Sequence, residues 1–221
     1  MSDQSISHVV TKDGSSTLYA PRFDEHYHSR HGAMQESQHV FLKMGWDALA
    51  EDLQEVRLLE MGFGTGLNAW LTRQVCAPRK LHYVGLEAYP LEEKLWRTLN
   101  YGQEGGGAMD EALEQLHRAP WEEAVALDDH FTLEKREVDL LAFDPDQSFH
   151  LVYFDAFAPL AQPELWTEEV MQKLYQMMEP GGIWVSYCAK GDVRRALQAA
   201  GFTVEKLPGP PGKREMLRAI K

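Results

Sequence analysis

The feature that most constrains this sequence is a glycine-rich turn that follows a short apolar run. Residues 58–68 read Leu-Leu-Glu-Met-Gly-Phe-Gly-Thr-Gly-Leu-Asn. The apolar residues before the turn predict a buried strand over 55–62, and those after it recur at helical spacing and predict a helix over 67–75. Glycine adopts positive φ angles and lets a ligand approach bare backbone, and the start of a helix offers unpaired N–H groups. The sequence therefore predicts a strand–turn–helix unit that holds a ligand at its glycines.

The spacing of this turn indicates what kind of ligand it holds. Glu60, Gly62, Gly64 and Gly66 form a Glu-x-Gly-x-Gly-x-Gly pattern, which differs from the Gly-x-Gly-x-x-Gly pattern of dinucleotide sites. It suits a nucleoside without a pyrophosphate, and S-adenosylmethionine is the commonest ligand of that kind. An ordinary tight turn is the alternative that the motif alone leaves open. We expect these four residues to bind S-adenosylmethionine.

The rest of the chain predicts an α/β fold around this turn, because strands and helices alternate from residue 55 onward. Strands are predicted at 55–62, 80–87, 132–138, 151–155, 183–188, 202–207 and 216–220, and helices at 67–75, 91–99, 164–179 and 193–200. An acidic insertion at 101–129 opens with three glycines at 105–107. The order predicts a Rossmann-like, mostly parallel sheet that ends in an antiparallel hairpin, which is typical of class I S-adenosylmethionine-dependent methyltransferases.

The residues before this fold predict a separate extension. Residues 9–19 contain two β-prone runs around Asp13-Gly14 and predict a β-hairpin. We assign 1–54 to an N-terminal extension packed on the core and 55–221 to the Rossmann-like methyltransferase domain. His26, His28 and His31 suggest a metal site, but no matching Cys, Asp or His cluster accompanies them, so we predict no metal. A segment that faces the substrate is the preferred interpretation.

The composition limits the compartment and the partners. Hydrophobic residues make up 44% of the chain, and no apolar run approaches the roughly 20 residues of a membrane span. The first residues lack the basic and apolar regions of a signal peptide, and the two cysteines are too few for a disulfide framework. We therefore expect a cytoplasmic protein that does not bind membranes, and no obligate protein partner is evident.

The charge of the chain is uneven. The net charge of −12 argues against nucleic acid. Residues 104–146 hold thirteen acidic and three basic residues, whereas residues 190–221 hold eight basic and three acidic residues. The basic tail is a candidate surface for phosphate, although a solvated rim would have the same composition. Arg194 and Arg195 could equally serve only to solvate their helix.

Acidic residues follow the predicted strands, at the edge where ligands of open α/β sheets bind. Glu87 follows the second strand and is placed to accept from ribose hydroxyls. Glu137 or Asp139 follows the third and could accept from an adenine amine, with Asp139 preferred. Asp155 follows the fourth, where it could orient an amine nucleophile and accept its proton. Each acid alone could be a turn residue, but their succession favours a methyl donor held beside an amine.

The chain also resembles a known family, the MnmD-type tRNA methyltransferases, which occur alone or as the methyltransferase half of the bifunctional MnmC protein. The matching stretches are Phe23-Asp24…Tyr27-x-Ser29, Glu36-Ser37…Val40-Phe41, Glu60 to Asn68, Glu87…Pro90-Leu91, Asp155-Ala156-Phe157-Ala158-Pro159…Gln162-Pro163-Glu164-Leu165-Trp166-Thr167, Val193-Arg194-Arg195…Leu197…Ala200-Gly201-Phe202, and Gly212-Lys213-Arg214-Glu215-Met216-Leu217. They run almost from end to end. One departure is Ala156, where the fused proteins have glycine.

The resemblance implies roles for individual residues. It makes Asp155 the catalytic residue, the three glycines the donor loop and Glu87 the ribose acid. It further implies that Tyr27, Ser29 and Glu36 lie at the cleft and that Lys213 and Arg214 border it. A target base would stack on an aromatic side chain such as Phe157, Trp166 or Tyr27.

The function implied is methylation of the amine of 5-aminomethyl-(2-thio)uridine at the wobble position of tRNA, through the anticodon loop. No flavin oxidase domain is expected after residue 221, hence no FAD, and a different enzyme must supply the aminomethyl group. Two alternatives stay open: an aminopropyltransferase like the polyamine synthases, which shares the glycine loop and Asp-Ala-Phe, and an S-adenosylmethionine-binding module without catalysis.

Overall fold

A computed structural model describes residues 6–102 and 110–221. Its centre is an eight-stranded sheet formed by β4 Glu55–Met61, β5 Lys80–Leu86, β6 Ala124–Ala126, β7 Phe131–Arg136, β8 Phe149–Phe154, β9 Met178–Ser186, β10 Thr203–Pro208 and β11 Glu215–Ile220. The strand order is β10-β11-β9-β8-β4-β5-β7-β6. The five central strands, β9, β8, β4, β5 and β7, are parallel to their neighbours in that set, whereas β6, β10 and β11 are antiparallel to the strands they pair with.

The order of the strands confirms the predicted fold class. From β4 the chain proceeds to β5 and β7 on one side, and β8 and β9 lie on the other side. The topological switch point therefore falls between β4 and β8, where the carboxyl ends of the strands diverge and leave a crevice. The last two strands form the predicted antiparallel hairpin, with β11 inserted between β9 and β10.

Apolar side chains pack on both faces of this sheet. Along β4, Leu58 belongs to the core on one face and Leu59 to the core on the other. Both are fully buried, which explains why the strand reads as a continuous apolar run. The helices that cover the two faces are α2 Leu67–Val75, α3 Glu93–Trp96, α4 Glu111–Arg118, α5 Glu168–Met177 and α6 Gly191–Ala199. In the described parts of the chain, no helix is long and apolar enough to cross a membrane.

The N-terminal segment forms a second, three-stranded antiparallel sheet, with β1 Ser7–Val10, β2 Ser16–Ala20 and β3 Glu25–His26. The predicted hairpin is β1 and β2, and β3 was not predicted. The helix α1 Ala33–Ser37 follows and continues as a π-helix over Gln38–Lys43, ahead of a 3-10 turn at Trp46–Ala48. Leu18 and Phe41 are buried in the same core as Leu58, so the extension packs directly on the large sheet.

Three predicted boundaries are wrong. The helix predicted over 164–179 is a 3-10 turn at Pro163–Trp166 followed by α5, because Thr167 is extended and its side chain caps α5 at the N–H of Val170. The strand predicted to begin at Ile183 begins at Met178 and contains the Pro-Gly-Gly sequence. The helix predicted over 91–99 spans only α3. The glycines at 105–107 lie outside the described residues.

Candidate active site

Two adjoining pockets open at the carboxyl edge of the large sheet. The inner pocket has about 680 Å³ of empty space, part of it open to solvent, and the outer pocket about 710 Å³. The walls of the inner pocket include Gly62, Gly64, Asn68, Glu87, Tyr89 and Asp139. Those of the outer pocket include Asp24, Glu25, Ser29, Arg30, Glu36, Tyr187 and Lys213. Five residues line both pockets: Tyr27, His28, Asp155, Ala156 and Phe157.

The glycine loop forms the floor of the inner pocket. Gly62 has φ 90° and Gly64 has φ 49°, which L side chains rarely adopt. A Cβ at Gly62 would lie 2.8 Å from the carbonyl oxygen of Asp155, so the two strand ends approach through the missing side chain. Gly66 is the N-cap of α2 and packs against Phe63 and His117, outside the pocket wall. Gly62 and Gly64 are therefore the glycines that leave backbone open to a ligand.

Three of the predicted acids lie on the wall of the inner pocket: Glu87, Asp139 and Asp155, the last of which also lines the outer pocket. The Glu87 carboxylate accepts hydrogen bonds from the N–H groups of Gly64 and Tyr89, both at 2.9 Å. Burial raises the pKa of Glu87, and these N–H groups lower it. Asp139 also lines this pocket, and its Oδ1 accepts from the N–H of Leu141 at 2.8 Å. Glu137, the alternative to Asp139, does not line it.

Glu60 occupies a different place from the one its motif suggests. Its side chain lies on β4, is 1% exposed and lines neither pocket. Its Oε1 accepts a hydrogen bond of 2.9 Å from Nδ2 of Asn68, which does line the inner pocket. Glu60 therefore lies behind the glycine loop.

Asp155 lies where the two pockets meet. Its N–H donates to the carbonyl of Met61 at 3.0 Å, which fixes the end of β8 beside the end of β4. Its Oδ2 accepts from Nδ2 of Asn68 at 2.8 Å. The pKa of Asp155 is raised to about 7, because burial and the Glu36 carboxylate raise it by more than Asn68 and Lys213 lower it. A carboxyl that titrates near neutral pH can accept a proton from one ligand while it touches another.

An ion pair spans the outer pocket. Glu36 is 5% exposed, accepts from the Ser29 N–H at 2.7 Å and pairs with Nζ of Lys213 at 2.6 Å. Lys213 Nζ also lies 3.7 Å from the centroid of the Tyr187 ring, and the Tyr187 hydroxyl donates to the Ala156 carbonyl at 2.8 Å. The predicted residue Lys213 thus joins the C-terminal hairpin to the N-terminal segment. Arg214 is exposed and does not line either pocket.

Aromatic side chains form part of the walls of the two pockets. The Phe157 ring stacks on Phe23 at a centroid distance of 4.6 Å and meets Tyr27 edge-on at 5.2 Å. Arg22 lies 3.9 Å from the Tyr89 ring centroid on the same side. Trp166, a candidate for base stacking in the sequence, is instead buried against Phe154 and donates to the Phe157 carbonyl at 2.9 Å. Phe157 and Tyr27 are therefore the candidates at the cleft.

The three histidines considered as metal ligands, His26, His28 and His31, do not converge. His28 is buried, which lowers its pKa to about 4, and its Nδ1 lies 3.3 Å from the Thr17 hydroxyl. His26 packs on the Tyr19 ring, and His31 lies beside Lys12. Within residues 6–102 and 110–221, no group of three or more His, Cys, Asp or Glu is arranged to hold a metal ion.

Several residues at the site were not predicted from the sequence. Asn68 and Tyr187 contact Asp155 or its neighbour, and His28 lies beside the Thr65 hydroxyl of the glycine loop at 3.5 Å. Asn68 carried a usable signal, because it is an amide on the first turn of a helix whose neighbouring residues are buried. Tyr187 carried none, since it follows an ordinary strand. His28 was noted only as one of three neighbouring histidines, without a role at the glycine loop.

The comparisons with known proteins agree with this geometry. Residues 108–221 match the family described as S-adenosyl-L-methionine-dependent methyltransferase. Two curated relatives are the tRNA 5-methylaminomethyl-2-thiouridine biosynthesis bifunctional proteins MnmC of Cupriavidus metallidurans and Magnetococcus marinus. The first is 33% identical over 227 residues, covering 94% of this chain and 33% of the relative. The second is 36% identical over 220 residues, covering 92% and 32%. This chain thus spans about a third of the length of these curated relatives.

A solved structure extends the similarity to the whole fold. MNMC2 from Aquifex aeolicus aligns with a TM-score of 0.81 and 26% identity, over 99% of this chain and 71% of that chain. The resemblance drawn from the motifs is confirmed by these relatives. With the sheet order, the glycine loop after β4 and the family match over 108–221, the chain belongs to the S-adenosyl-L-methionine-dependent methyltransferases.

Proposed function

We propose that this protein methylates the amine of 5-aminomethyl-(2-thio)uridine at the wobble position of tRNA, giving the 5-methylaminomethyl form. The observation that carries the proposal is the meeting of the two pockets at Asp155. One pocket has the walls expected for the methyl donor, and the other is open to an acceptor. Ligands in the two pockets would meet at this junction, which allows an in-line transfer from one to the other.

The inner pocket suits S-adenosylmethionine, which supplies an electrophilic methyl group on a sulfonium when bound. Gly62 and Gly64 line this pocket without side chains, so backbone can lie against the ligand. Each oxygen of the Glu87 carboxylate accepts one N–H and retains a free lone pair for a ribose hydroxyl. Asp139 would accept from the adenine amine. For Glu60 and Gly66, which lie outside the pocket wall, donor binding stays a prediction.

The outer pocket suits a cationic amine as acceptor. Four acidic residues line it (Asp24, Glu25, Glu36 and Asp155) against Arg30 and Lys213. An alkylammonium must lose one proton before its nitrogen lone pair can attack. Asp155, with a pKa of about 7, can take this proton near neutral pH. The nitrogen lone pair would form a bond to the methyl carbon as the methyl–sulfur bond breaks, with S-adenosylhomocysteine leaving as a neutral thioether and the positive charge passing to the ammonium of the methylated product.

Unpaired cations near the outer pocket support an RNA substrate. In the part of the chain that the structure describes, Lys12, Arg30, Lys190, Arg194 and Arg214 form no ion pair with an acid. Arg30 lines the pocket, and Lys190 is close enough to lower the pKa of Glu25, which burial raises. We propose that these five residues, the cation rim, contact phosphates of the anticodon loop, and that Phe157 or Tyr27 stacks on the extruded base.

The division of the chain is also a proposal. Residues 1–54 would act as an extension that supplies one wall of the acceptor pocket, and residues 55–221 as the domain that binds the donor. We also predict that the protein uses no FAD or metal, has no obligate protein partner and is cytoplasmic. Its two cysteines, Cys76 and Cys188, are free and buried.

The proposal is tested by incubating the purified protein with methyl-labelled S-adenosylmethionine and tRNA from cells that lack the final methylation step. Nucleoside mass spectrometry should find label in 5-methylaminomethyl-(2-thio)uridine. A parallel reaction with a diamine and the decarboxylated donor tests aminopropyl transfer. Absence of label from the tRNA, with or without activity on the diamine, would contradict the proposal.

A further inference from the structure

A single buried amide joins two acids of the site, Glu60 and Asp155. Asn68 is 3% exposed and lies in the first turn of α2. Its Nδ2 donates to Oε1 of Glu60 at 2.9 Å and to Oδ2 of Asp155 at 2.8 Å. The three residues come from β4, α2 and the end of β8, so one side chain ties together the elements that meet at the switch point.

This arrangement fixes the orientation of the amide. A primary amide nitrogen carries two hydrogens, and here each has one carboxyl oxygen as acceptor. With the amide reversed, Oδ1 of Asn68 would face both carboxyl groups and neither hydrogen bond would form. Glu60 therefore serves as a second anchor that keeps Nδ2 directed at Asp155.

The same hydrogen bond fixes how Asp155 presents its carboxylate. Oδ2 is occupied by Asn68, and the Asp155 N–H is held by the Met61 carbonyl. Among the described residues, none donates a hydrogen bond to Oδ1 of Asp155. One oxygen is thus immobilised by the protein and the other is left for a ligand in either pocket.

We propose that Asn68 is the positioning residue of this methyltransferase, which orients Asp155 and keeps it ionised, with Glu60 as its buried anchor. The inference rests on the proposed role of Asp155 as the proton acceptor. In this inference Glu60, the acid of the glycine motif, holds Asn68 in place and does not contact the donor.

The charges around Asp155 are consistent with this role. Burial and the Glu36 carboxylate raise the pKa of Asp155, and the hydrogen bond from Asn68 and the charge of Lys213 lower it to a balance of about 7, so the donated hydrogen bond favours the ionised form. Burial also raises the pKa of Glu60 well above its usual value, and the Asp155 carboxylate adds to this, whereas the hydrogen bond from Asn68 lowers it. The titratable and charged groups that face Asp155 from the packed elements are Glu36, Glu60, Glu87, Tyr83, Tyr101, Tyr187 and Lys213.

The test replaces Asn68 by Leu, which keeps the size and removes the amide, and by Ala as a second variant. Carboxyl carbons of aspartate are labelled with ¹³C, and the Asp155 signal is assigned by its loss in Asp155→Asn. The titration midpoint of Asp155 should rise by about one unit or more in both variants, because a hydrogen bond to the charged form is lost. Thr72→Val is the matched control, since Thr72 is buried one turn further along α2 and bonds to the Asn68 carbonyl.

Methyl transfer at saturating donor is then measured from pH 5.5 to pH 9.5. The acid limb of the Asn68→Leu profile should move upward with the titration midpoint, so that the rate recovers at high pH. An unchanged midpoint, or an equal loss of rate at every pH, overturns the inference even when the wild type methylates tRNA. A raised midpoint in a protein that leaves tRNA unmethylated would instead overturn the proposed function and retain the coupling of Asn68 to Asp155.

Discussion

The inner and outer pockets are built in different ways, although they share a wall. The inner pocket collects the ends of successive parallel strands, with Gly62 after β4, Glu87 after β5 and Asp155 after β8. One wall of the outer pocket contains the ion pair of Glu36 and Lys213, which are 177 residues apart in the chain. The first depends on the topology of one sheet, and the second depends on two distant segments meeting above it. Substitutions in the two pockets should therefore affect different steps.

The largest effect is expected at the shared wall. Asp155→Asn keeps the size of the side chain and removes the proton acceptor, so the rate of methyl transfer should fall about 100-fold or more. Donor affinity, measured by calorimetry with S-adenosylhomocysteine, should change by no more than a few fold. Asp146→Asn is the matched control, because Asp146 is exposed and precedes the other end of β8. Retention of the wild-type rate in Asp155→Asn would contradict the role of Asp155 as proton acceptor at the junction of the two pockets.

The next largest effect is expected on donor binding in the inner pocket. Gly62→Ala introduces a Cβ that lies 2.8 Å from the Asp155 carbonyl at φ 90°, so the ends of β4 and β8 must move apart. We expect donor affinity to fall about 10-fold or more and the free energy of unfolding to fall by more than the ~1–2 kcal/mol of left-handed strain alone.

Gly181→Ala is the control for this strain. Gly181 has φ 77°, and a Cβ there meets nothing within 4 Å. It should lose stability to a similar left-handed strain and retain donor affinity. Equal donor affinity in Gly62→Ala and Gly181→Ala would show that close approach at the loop does not matter for the donor.

The two pockets also differ in how far the sequence predicted them. Gly62, Gly64, Glu87 and Asp155 were predicted from position alone, because the carboxyl ends of parallel strands share one edge of a sheet. Their residue types then narrowed the ligand to a nucleoside-type methyl donor. The structure placed all four on the wall of the inner pocket. Their roles stay predictions until measured.

The outer pocket was predicted only through family resemblance. Nothing in the local sequence around Glu36 or Lys213 indicates that they pair, because an ion pair between distant segments leaves no periodic signal. The same limit applies to the fold. Thr167 lies within an amphipathic pattern, so the sequence favoured one long helix over 164–179, whereas capping by its side chain starts a new helix there. The ion pair thus has no local sequence signal, and at Thr167 side-chain capping outweighs the amphipathic pattern.

A smaller effect with a defined sign is expected from the ion pair of the outer pocket. Glu36→Gln removes a carboxylate that raises the pKa of Asp155 and frees Lys213, which lowers it. The acid limb of the rate profile should therefore move to lower pH. Lys213→Met removes the cation and leaves the Glu36 carboxylate, so the acid limb should move to higher pH.

The two shifts are measured against the same substrate, so that the pKa of the acceptor amine is common to both. Donor affinity should be unchanged in both variants, since neither side chain lines the inner pocket. Shifts in the same direction, or a change in donor affinity as large as that of Gly62→Ala, would remove the distinction between the two pockets.

The smallest effect concerns the surface beyond the outer pocket. Arg214 is exposed, lines neither pocket and belongs to the cation rim. Arg214→Gln should weaken tRNA binding a few fold and reduce the slope of log affinity against log salt by about one, because one phosphate contact and its counterion are lost. Lys80→Gln is the control, since Lys80 is exposed at the opposite edge of the sheet, where β5 begins. If both variants change the slope equally, tRNA binding depends on the total charge of the protein and not on cations located beside the outer pocket. A reduced slope in Arg214→Gln alone would show that the tRNA-binding surface reaches beyond the outer pocket to Arg214.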